Sequence, residues 1–396
     1  MKCNFLLFLL WFGTLLTAQV KVETITGKIN GSGGLHVGPD GWLYIADFGY
    51  SLDNANGTKV LRMDYVHRKQ PEVFASGFRG ASGNDFDAEG NLFQSNIAAG
   101  TVSKVTPAGK VSLFASSGLS CNVGVNVDAG GNVYVCNCCQ TYGNTIRKIT
   151  PDGRVSLFSK GVLFACPNGI TRGKEGNLYI SNFGNGNIIK VEPNGNASFF
   201  ARIKGGSNGH ILYSKKRNIL FVASHGSSRI YTVTMEGEVK VLAGSGVRGN
   251  EDGSAGESSF SRPNGLALSP SEDTLFVNSS IPVTDAGGRP LNPSVIRMIT
   301  GLPPVVGVKT TPGTKPIRIE YAPGTGEVFV NGLQRGKVTV HLVSSLGTII
   351  QIKTRYSDEG RLSFRLPEGL LPGIYFLSVM DSMGHSAVRR LPVMAR

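Results

Sequence analysis

Five cysteines crowd one stretch of the chain: Cys121, Cys136, Cys138, Cys139 and Cys166. Such a group makes either disulfides or a thiolate metal site. Cys136 and Cys139 have Cys-x-x-Cys spacing but no second such unit pairs with them, so zinc ligation of that type is disfavoured. All five are therefore disulfide candidates, and an odd number leaves one thiol over or pairs it outside. A second set suits acid–base or ligand chemistry. Asn84 and Asp85 are adjacent, Asn168 and Asn264 each sit in Pro-Asn-Gly, and His210 and His225 are close in sequence. Asp85 is the one acid expected beside these groups, as a general base or a ligand. His36 is a further imidazole. A bound calcium or zinc stays open, and hard cations take oxygen ligands best with carboxylates among them. Gly244, Gly246 and Gly249 match Gly-x-Gly-x-x-Gly, but no helix pattern follows, so a dinucleotide site is rejected. No Gly-x-Ser-x-Gly, His-Glu-x-x-His or Walker motif occurs.

The elements that must position these residues are repeats. Six segments pair an apolar strand with a second, aromatic-rich strand across a turn. Their second strands align at Leu43, Leu92, Val133, Leu178, Leu220 and Leu275, spaced 49, 41, 45, 42 and 55 residues apart. Hairpins such as GTVSKVTPAGKVSLFAS follow, with alternating apolar and polar residues around Pro-x-Gly. Four strands per 40–55 residues, repeated, predict a β-propeller, whose blades bury their faces only by stacking in a ring. The sixth repeat ends at its third strand, SVIRMIT. KVETITGK, residues 21–28, has the pattern of KVSLFASS and supplies the missing strand, so the circle closes through the N-terminus. The reading is all-β: a six-bladed β-propeller followed by a small C-terminal β-sandwich.

In such a ring, the approach to each first strand and the exit of each second strand open on one face. Asn84, Asp85, Asn168, His210, His225 and Asn264 are thereby expected at the mouth, where ligands bind. The cysteines fall at the same face. Asp47, Asn96, Asn137, Asn182, Ser224 and Ser279 end the six second strands. Their recurrence reads as structural, tying down loop amides.

The chain has 396 residues, 53 of them glycine, and a net charge of +13. The charge is spread, without a basic stripe, which excludes nucleic acid as a partner. It leaves attraction to an anionic cell-surface polysaccharide. Lys2, the apolar run Phe5–Leu16 and small residues to Ala18 read as a signal peptide over 1–18. No other run is long enough to span a membrane. The expected domains are the leader, the propeller over 19–301, a Pro/Gly/Thr-rich linker over 302–316, and the sandwich over 317–396.

The repeats resemble NHL-repeat propellers, most clearly in LAGSGVRGNEDGSAGESSFSRPNGLAL (242–268). They also resemble the senescence-marker/gluconolactonase propellers. That resemblance implies a divalent cation near Asn168 and Asn264 and an activity on lactones, or a lyase of the NHL type. The acidic ligands of that family are not matched: Gly33, Ser82, Val123 and Gly209 stand at the other positions. The C-terminal part resembles the sorting domain of type IX secretion cargo of the Bacteroidetes group. The matching residues are YAPGTGEVFV, LVSSLGTIIQ, LLPGIYFLSV and AVRRLPVMAR. That resemblance implies a partner, the type IX machinery, and an extracellular or cell-surface address. Binding of a glycan, peptide or protein at the mouth is the leading expectation. Metal-dependent lactone hydrolysis is the alternative.

Overall fold

The computed structural model describes residues 19–138, 144–285, 288–303, 317–323, 325–344, 349–357, 360–381 and 386–393. The expected leader, Cys139 and all of the linker beyond residue 303 lie outside the described residues. The chain divides into two units, Met1–Pro304 and Val305–Arg396. Apart from a short 3-10 turn at Lys174–Gly176, every regular element described is a strand.

The first unit holds six antiparallel sheets. β1 (Lys21–Thr24) is set aside for the last. The first sheet is β2 (Leu35–Val37), β3 (Leu43–Ala46), β4 (Lys59–Met63) and β5 (Glu72–Ser76). The second is β6 (Ala81–Phe86), β7 (Leu92–Asn96), β8 (Thr101–Val105) and β9 (Val111–Ala115). The third is β10 (Asn122–Val127), β11 (Val133–Asn137), β12 (Thr145–Ile149) and β13 (Val155–Lys160). The fourth is β14 (Pro167–Arg172), β15 (Leu178–Asn182), β16 (Asn187–Val191) and β17 (Ala197–Arg202). The fifth is β18 (Asn208–Ser214), β19 (Ile219–Ser224), β20 (Arg229–Thr234) and β21 (Val239–Ala243). The sixth joins β22 (Gly253–Ser254), β1, β25 (Ser294–Thr300), β24 (Leu275–Ser280) and β23 (Leu266–Leu268) in that order. Val22 faces Ile299 and Thr24 faces Arg297, so KVET completes the last sheet as its pattern predicts.

The turns are set by chemistry that the sequence displays. Gly109, Gly153, Gly195 and Gly237 close the hairpins between third and fourth strands. Each has φ between +81° and +88°, a region where a side chain is strained. Each donates its N–H back to the residue three before it, Thr106, Thr150, Glu192 and Thr234, at 2.8–3.0 Å. Within a sheet, a second-strand aromatic meets a fourth-strand Phe edge-on. Tyr44–Phe74, Phe93–Phe114, Tyr134–Phe158 and Tyr179–Phe200 have centroids 4.8–4.9 Å apart. Such pairs contribute about 1 kcal/mol each beyond burial. The apolar clusters lie between sheets: Tyr134, Cys136 and Ile146 of the third pack on Leu178, Ile180 and Ile189 of the fourth.

Glycines let the inner strands meet. A Cβ added at Gly33 would lie 2.4 Å from Ala81 O. At Gly83 it would lie 2.4 Å from Val123 O, and at Gly124 2.3 Å from Asn168 O. At Gly169 it would lie 2.7 Å from His210 Cα, and at Gly209 2.9 Å from Asn264 Cα. At Gly265 it would lie 2.4 Å from Gly33 O, which brings the sixth sheet back to the first. The long link ahead of β23 is held by buried arginines. Arg262 donates to Pro282 O, Pro290 O and Thr284 O and pairs with Asp285. Arg297 donates to Ser259 O, Glu251 O and Asp252.

The second unit has two antiparallel sheets. One orders β26 (Arg318–Ala322), β27 (Glu327–Asn331) and β30 (Arg361–Arg365). The other orders β29 (Ile349–Ser357), β28 (Gly336–Ser344), β31 (Gly373–Met380) and β32 (Ser386–Val393). Ile319, Val328 and Val330 of the first share one apolar cluster with Val338, Val340, Leu377 and Leu391 of the second.

Candidate functional site: the mouth pocket

The end of the ring where second strands exit is tied down by their last residues. Asn96 Nδ2 donates to Ser103 Oγ at 3.0 Å, and its Oδ1 accepts from Arg79 N at 3.3 Å. Asn137 Nδ2 reaches Gly118 O at 3.3 Å and Asn182 Nδ2 reaches Leu163 O at 2.8 Å. Ser224 Oγ donates to Gly206 O, and Ser279 Oγ accepts from Ser261 N. Asp47 accepts from Asn292 Nδ2 at 2.8 Å. These are loop anchors, as their recurrence predicts. Five lead-ins to first strands carry a residue at positive φ just ahead: Gly80, Cys121, Cys166, Ser207 and Arg262, at +43° to +69°. That left-handed kink turns each inner strand into the ring.

Between anchors and lead-ins lies a pocket of about 210 Å³. Its walls are the residues that follow the anchors: Phe48, Ile97, Cys138, Phe183 and His225. Leu52, Arg289 and Leu291 add to them, and Ser82, Val123, Asn168 and Asn264 come from the lead-ins and inner strands. The anchor fixes the loop, and the next side chain turns to the opposite side, into the mouth. This rule was in the repeat and could have found Phe48, Ile97 and Phe183, which residue-type arguments passed over.

Asn168 donates Nδ2 to Asn208 O at 3.0 Å, and Asn264 donates Nδ2 to Ser32 O at 2.9 Å. Each amide thus bridges to the next sheet. His225 packs edge-on against Phe183 with centroids 5.5 Å apart. Burial, and then Arg262, Arg248 and Arg289, lower its pKa to about 3, so the ring is neutral. The pocket is mostly apolar, its polar groups are amides, the neutral imidazole and the Arg289 guanidinium, and no carboxylate lines it.

The cysteines divide. Cys138 and Cys166 form a disulfide at the pocket wall, stapling the exit of β11 to the lead-in of β14. Cys121 is also disulfide-bonded. Cys136, a disulfide candidate by sequence, is instead a free thiol with no exposure. Its side chain points between the third and fourth sheets, 3.8 Å from Gly169 O, and burial pushes its pKa up.

Three other expected mouth residues lie elsewhere. Asp85 is past the bulge in β6, facing Phe93, roughly 10 Å along the strand from Ser82. It accepts from Phe86 N at 2.8 Å, Val127 N at 2.7 Å and Asn126 Nδ2 at 3.1 Å. His36 Nδ1 is 3.4 Å away. Burial raises its pKa, against the pull of His36. Asn84 is bound to Gln94 Oε1 at 3.3 Å inside its own sheet. The extra bulge residue carries both away from the mouth and leaves Ser82 there. His210 sits at the glycine level, its N–H bound to Asn264 O at 2.9 Å. Desolvation lowers its pKa to about 4, and it does not line the pocket.

A cation does not fit the mouth. Hard cations want six or more oxygens with carboxylates among them, and two side-chain amides stand there instead. Among the described residues no three His, Cys, Asp or Glu side chains converge to hold a metal. No described helix is long and apolar enough to cross a membrane.

Comparison with known proteins agrees with this geometry. No protein-family model matches the chain, and no curated protein matches it by sequence. Solved structures do. A gluconolactonase of Xanthomonas campestris is 12% identical, with a TM-score of 0.54 over 72% of this chain and 91% of its own. An auxiliary nutrient binding protein of Bacteroides thetaiotaomicron is also 12% identical, with a TM-score of 0.57 over 71% of this chain and 76% of its own. At this identity the likeness shows the fold alone: the first unit is a β-propeller.

Proposed function

We propose that this chain is an exported six-bladed β-propeller that binds an apolar side chain of a peptide or protein at its mouth. Its C-terminal β-sandwich is the type IX sorting domain that carries it to the cell surface. One observation supports the binding role above others: the mouth pocket joins Phe48, Leu52, Ile97 and Phe183 to a neutral His225, two amides and the Arg289 guanidinium, without a carboxylate. Such a lining takes an aliphatic or aromatic group and hydrogen-bonds the polar atoms beside it. Lactone hydrolysis with a bound cation lacks the acidic ligands it requires.

The test uses the full chain, secreted into an oxidising compartment and purified without chelator. Metal content is counted by plasma mass spectrometry, and binding is screened on arrays of peptides with aromatic or aliphatic centres. Peptides should bind, and Phe183→Ala should weaken them about tenfold or more, the cost of losing one buried aromatic anchor. One bound calcium or zinc per chain, with chelator-sensitive lactone hydrolysis, overturns the reading.

A further inference from the structure

A second cavity of the first unit lies beside the mouth pocket, across the segment that carries Phe48. It is a cleft of about 770 Å³ at the seam where the sixth sheet meets the first. Residues 28–30 beyond β1, the segment after β3, the start of β4 and the approach to β25 form its walls. Lys28 and Lys59 are exposed in it, and Lys59 is near enough to Asp47 for its charge to act on the carboxyl. At its floor Asp47 is buried, held by Asn292 Nδ2 at 2.8 Å. At its rim the Tyr50 ring is 47% exposed. The cleft is preorganised. Asn56 Oδ1 accepts from Tyr50 N at 2.9 Å, and Asn292 Nδ2 also donates to Gly49 O at 2.8 Å. Leu291 N donates to Tyr50 O at 2.8 Å, which fixes the backbone that carries the ring.

We infer that this cleft binds an acidic sugar, a uronate unit of an anionic polysaccharide. Two ammonium groups against one carboxylate leave a net positive site, which selects an anion. The buried Asp47 repels a bare anion but accepts hydroxyl donors. An anionic group and several hydroxyls on one ring satisfy both requirements together. The exposed phenol offers the flat apolar face against which a sugar ring packs. The volume exceeds a single sugar unit, so neighbouring units of a chain fit beside it. This site stands independently of the mouth reading.

The test is calorimetric titration of the full chain with a trimer of galacturonate, a neutral galactose trimer and inorganic phosphate. The galacturonate trimer should bind, and the neutral trimer and phosphate should bind at least tenfold more weakly. Lys28→Gln and Lys59→Gln should each weaken it about tenfold, the cost of one charge-assisted contact. Both lysines are exposed, so folding is retained, and an unchanged thermal midpoint checks this. Asp47→Asn should weaken the sugar and strengthen phosphate. Phe183→Ala should leave the sugar unchanged, which separates this site from the mouth. Equal binding of phosphate and galacturonate reduces the cleft to a simple anion site and overturns the proposal. So does absence of galacturonate binding, or binding that survives the double lysine substitution.

Discussion

Two sites of opposite character grow from one short segment. After β3 the chain runs through Asp47, Phe48, Gly49 and Tyr50. Phe48 enters the mouth pocket, whereas Asp47, Gly49 and Tyr50 line the seam cleft. The same division recurs before β25, where Leu291 faces the mouth and Asn292 and Pro293 face the cleft. One wall therefore separates a mostly apolar space, lined also by Arg289 in its pair with Asp53, from a cleft that carries Lys28, Lys59 and Asp47. In this ring, character is assigned residue by residue along a loop: Phe48 turns away from Asp47, and Leu291 from Asn292. The fold itself dictates neither chemistry.

The largest expected effect comes from breaking the shared wall. Gly57 donates its N–H to Phe48 O at 3.1 Å, and a Cβ placed on it would lie 1.8 Å from Asp47 O. Backbone cannot yield that distance locally. Gly57→Ala should cost about 4 kcal/mol or more, in the range of severe packing lesions, and weaken both sites together. Thermal unfolding and both titrations read this. A variant that loses one site and keeps the other would show that the wall is not shared.

A smaller and one-sided effect should follow from removing the staple. Cys138–Cys166 closes a loop over a sequence separation of 28, and the chain-entropy account gives about 3–4 kcal/mol for a loop of that size. The bond lines the mouth and not the cleft. The double Cys138→Ser, Cys166→Ser variant should unfold earlier and lose peptide affinity, while galacturonate affinity holds at a temperature where the variant is folded. Equal loss at both sites would mean that the staple supports the whole ring rather than one loop.

These sites differ in how far the sequence revealed them. The repeat was legible because period-2 strands and glycine turns are local. The pairing of β1 with β25 was legible because the last repeat lacked a strand and KVET had its pattern. The mouth was half legible: Asn168, Asn264 and His225 were placed by repeat position and do line it. Asp85 was misplaced because the bulge in β6 is set by pairing with β7, which alternation alone does not register. Cys136 was misassigned because its residue type outweighed its strand position, one step before the anchor Asn137 and on the core side. The seam cleft was not legible at all. Its walls come from residues near 28, 50 and 292, joined only when the ring closes. Burial of Arg262 and Arg297 was not legible either, because the carbonyls that bury them belong to loops with no sequence pattern of their own.

Acid should sharpen the comparison by sign. Burial and three arginines depress the pKa of His225 from 6.5 to about 3. The unfolded chain therefore takes up this proton first. As pH falls from about 6.5, the unfolded state binds more protons than the folded one, and stability drops by up to about 1.4 kcal/mol per pH unit. His210, depressed to about 4, adds to the same slope. Asp47 behaves in the opposite way. Burial raises its carboxyl above the ordinary value, so the folded state protonates first and gains stability as pH falls toward the unfolded value. Thermal unfolding between pH 7 and 4 reads both. His225→Phe should flatten the loss between pH 6.5 and 4.5, leaving the share of His210. Asp47→Asn should remove this gain, which is confined to the acid end and reduced because the carboxyl is partly compensated by Asn292, the Gly49 amide and Lys59. An unchanged slope in His225→Phe would mean that the imidazole is hydrated and that the mouth is not the dry, apolar space on which peptide binding depends.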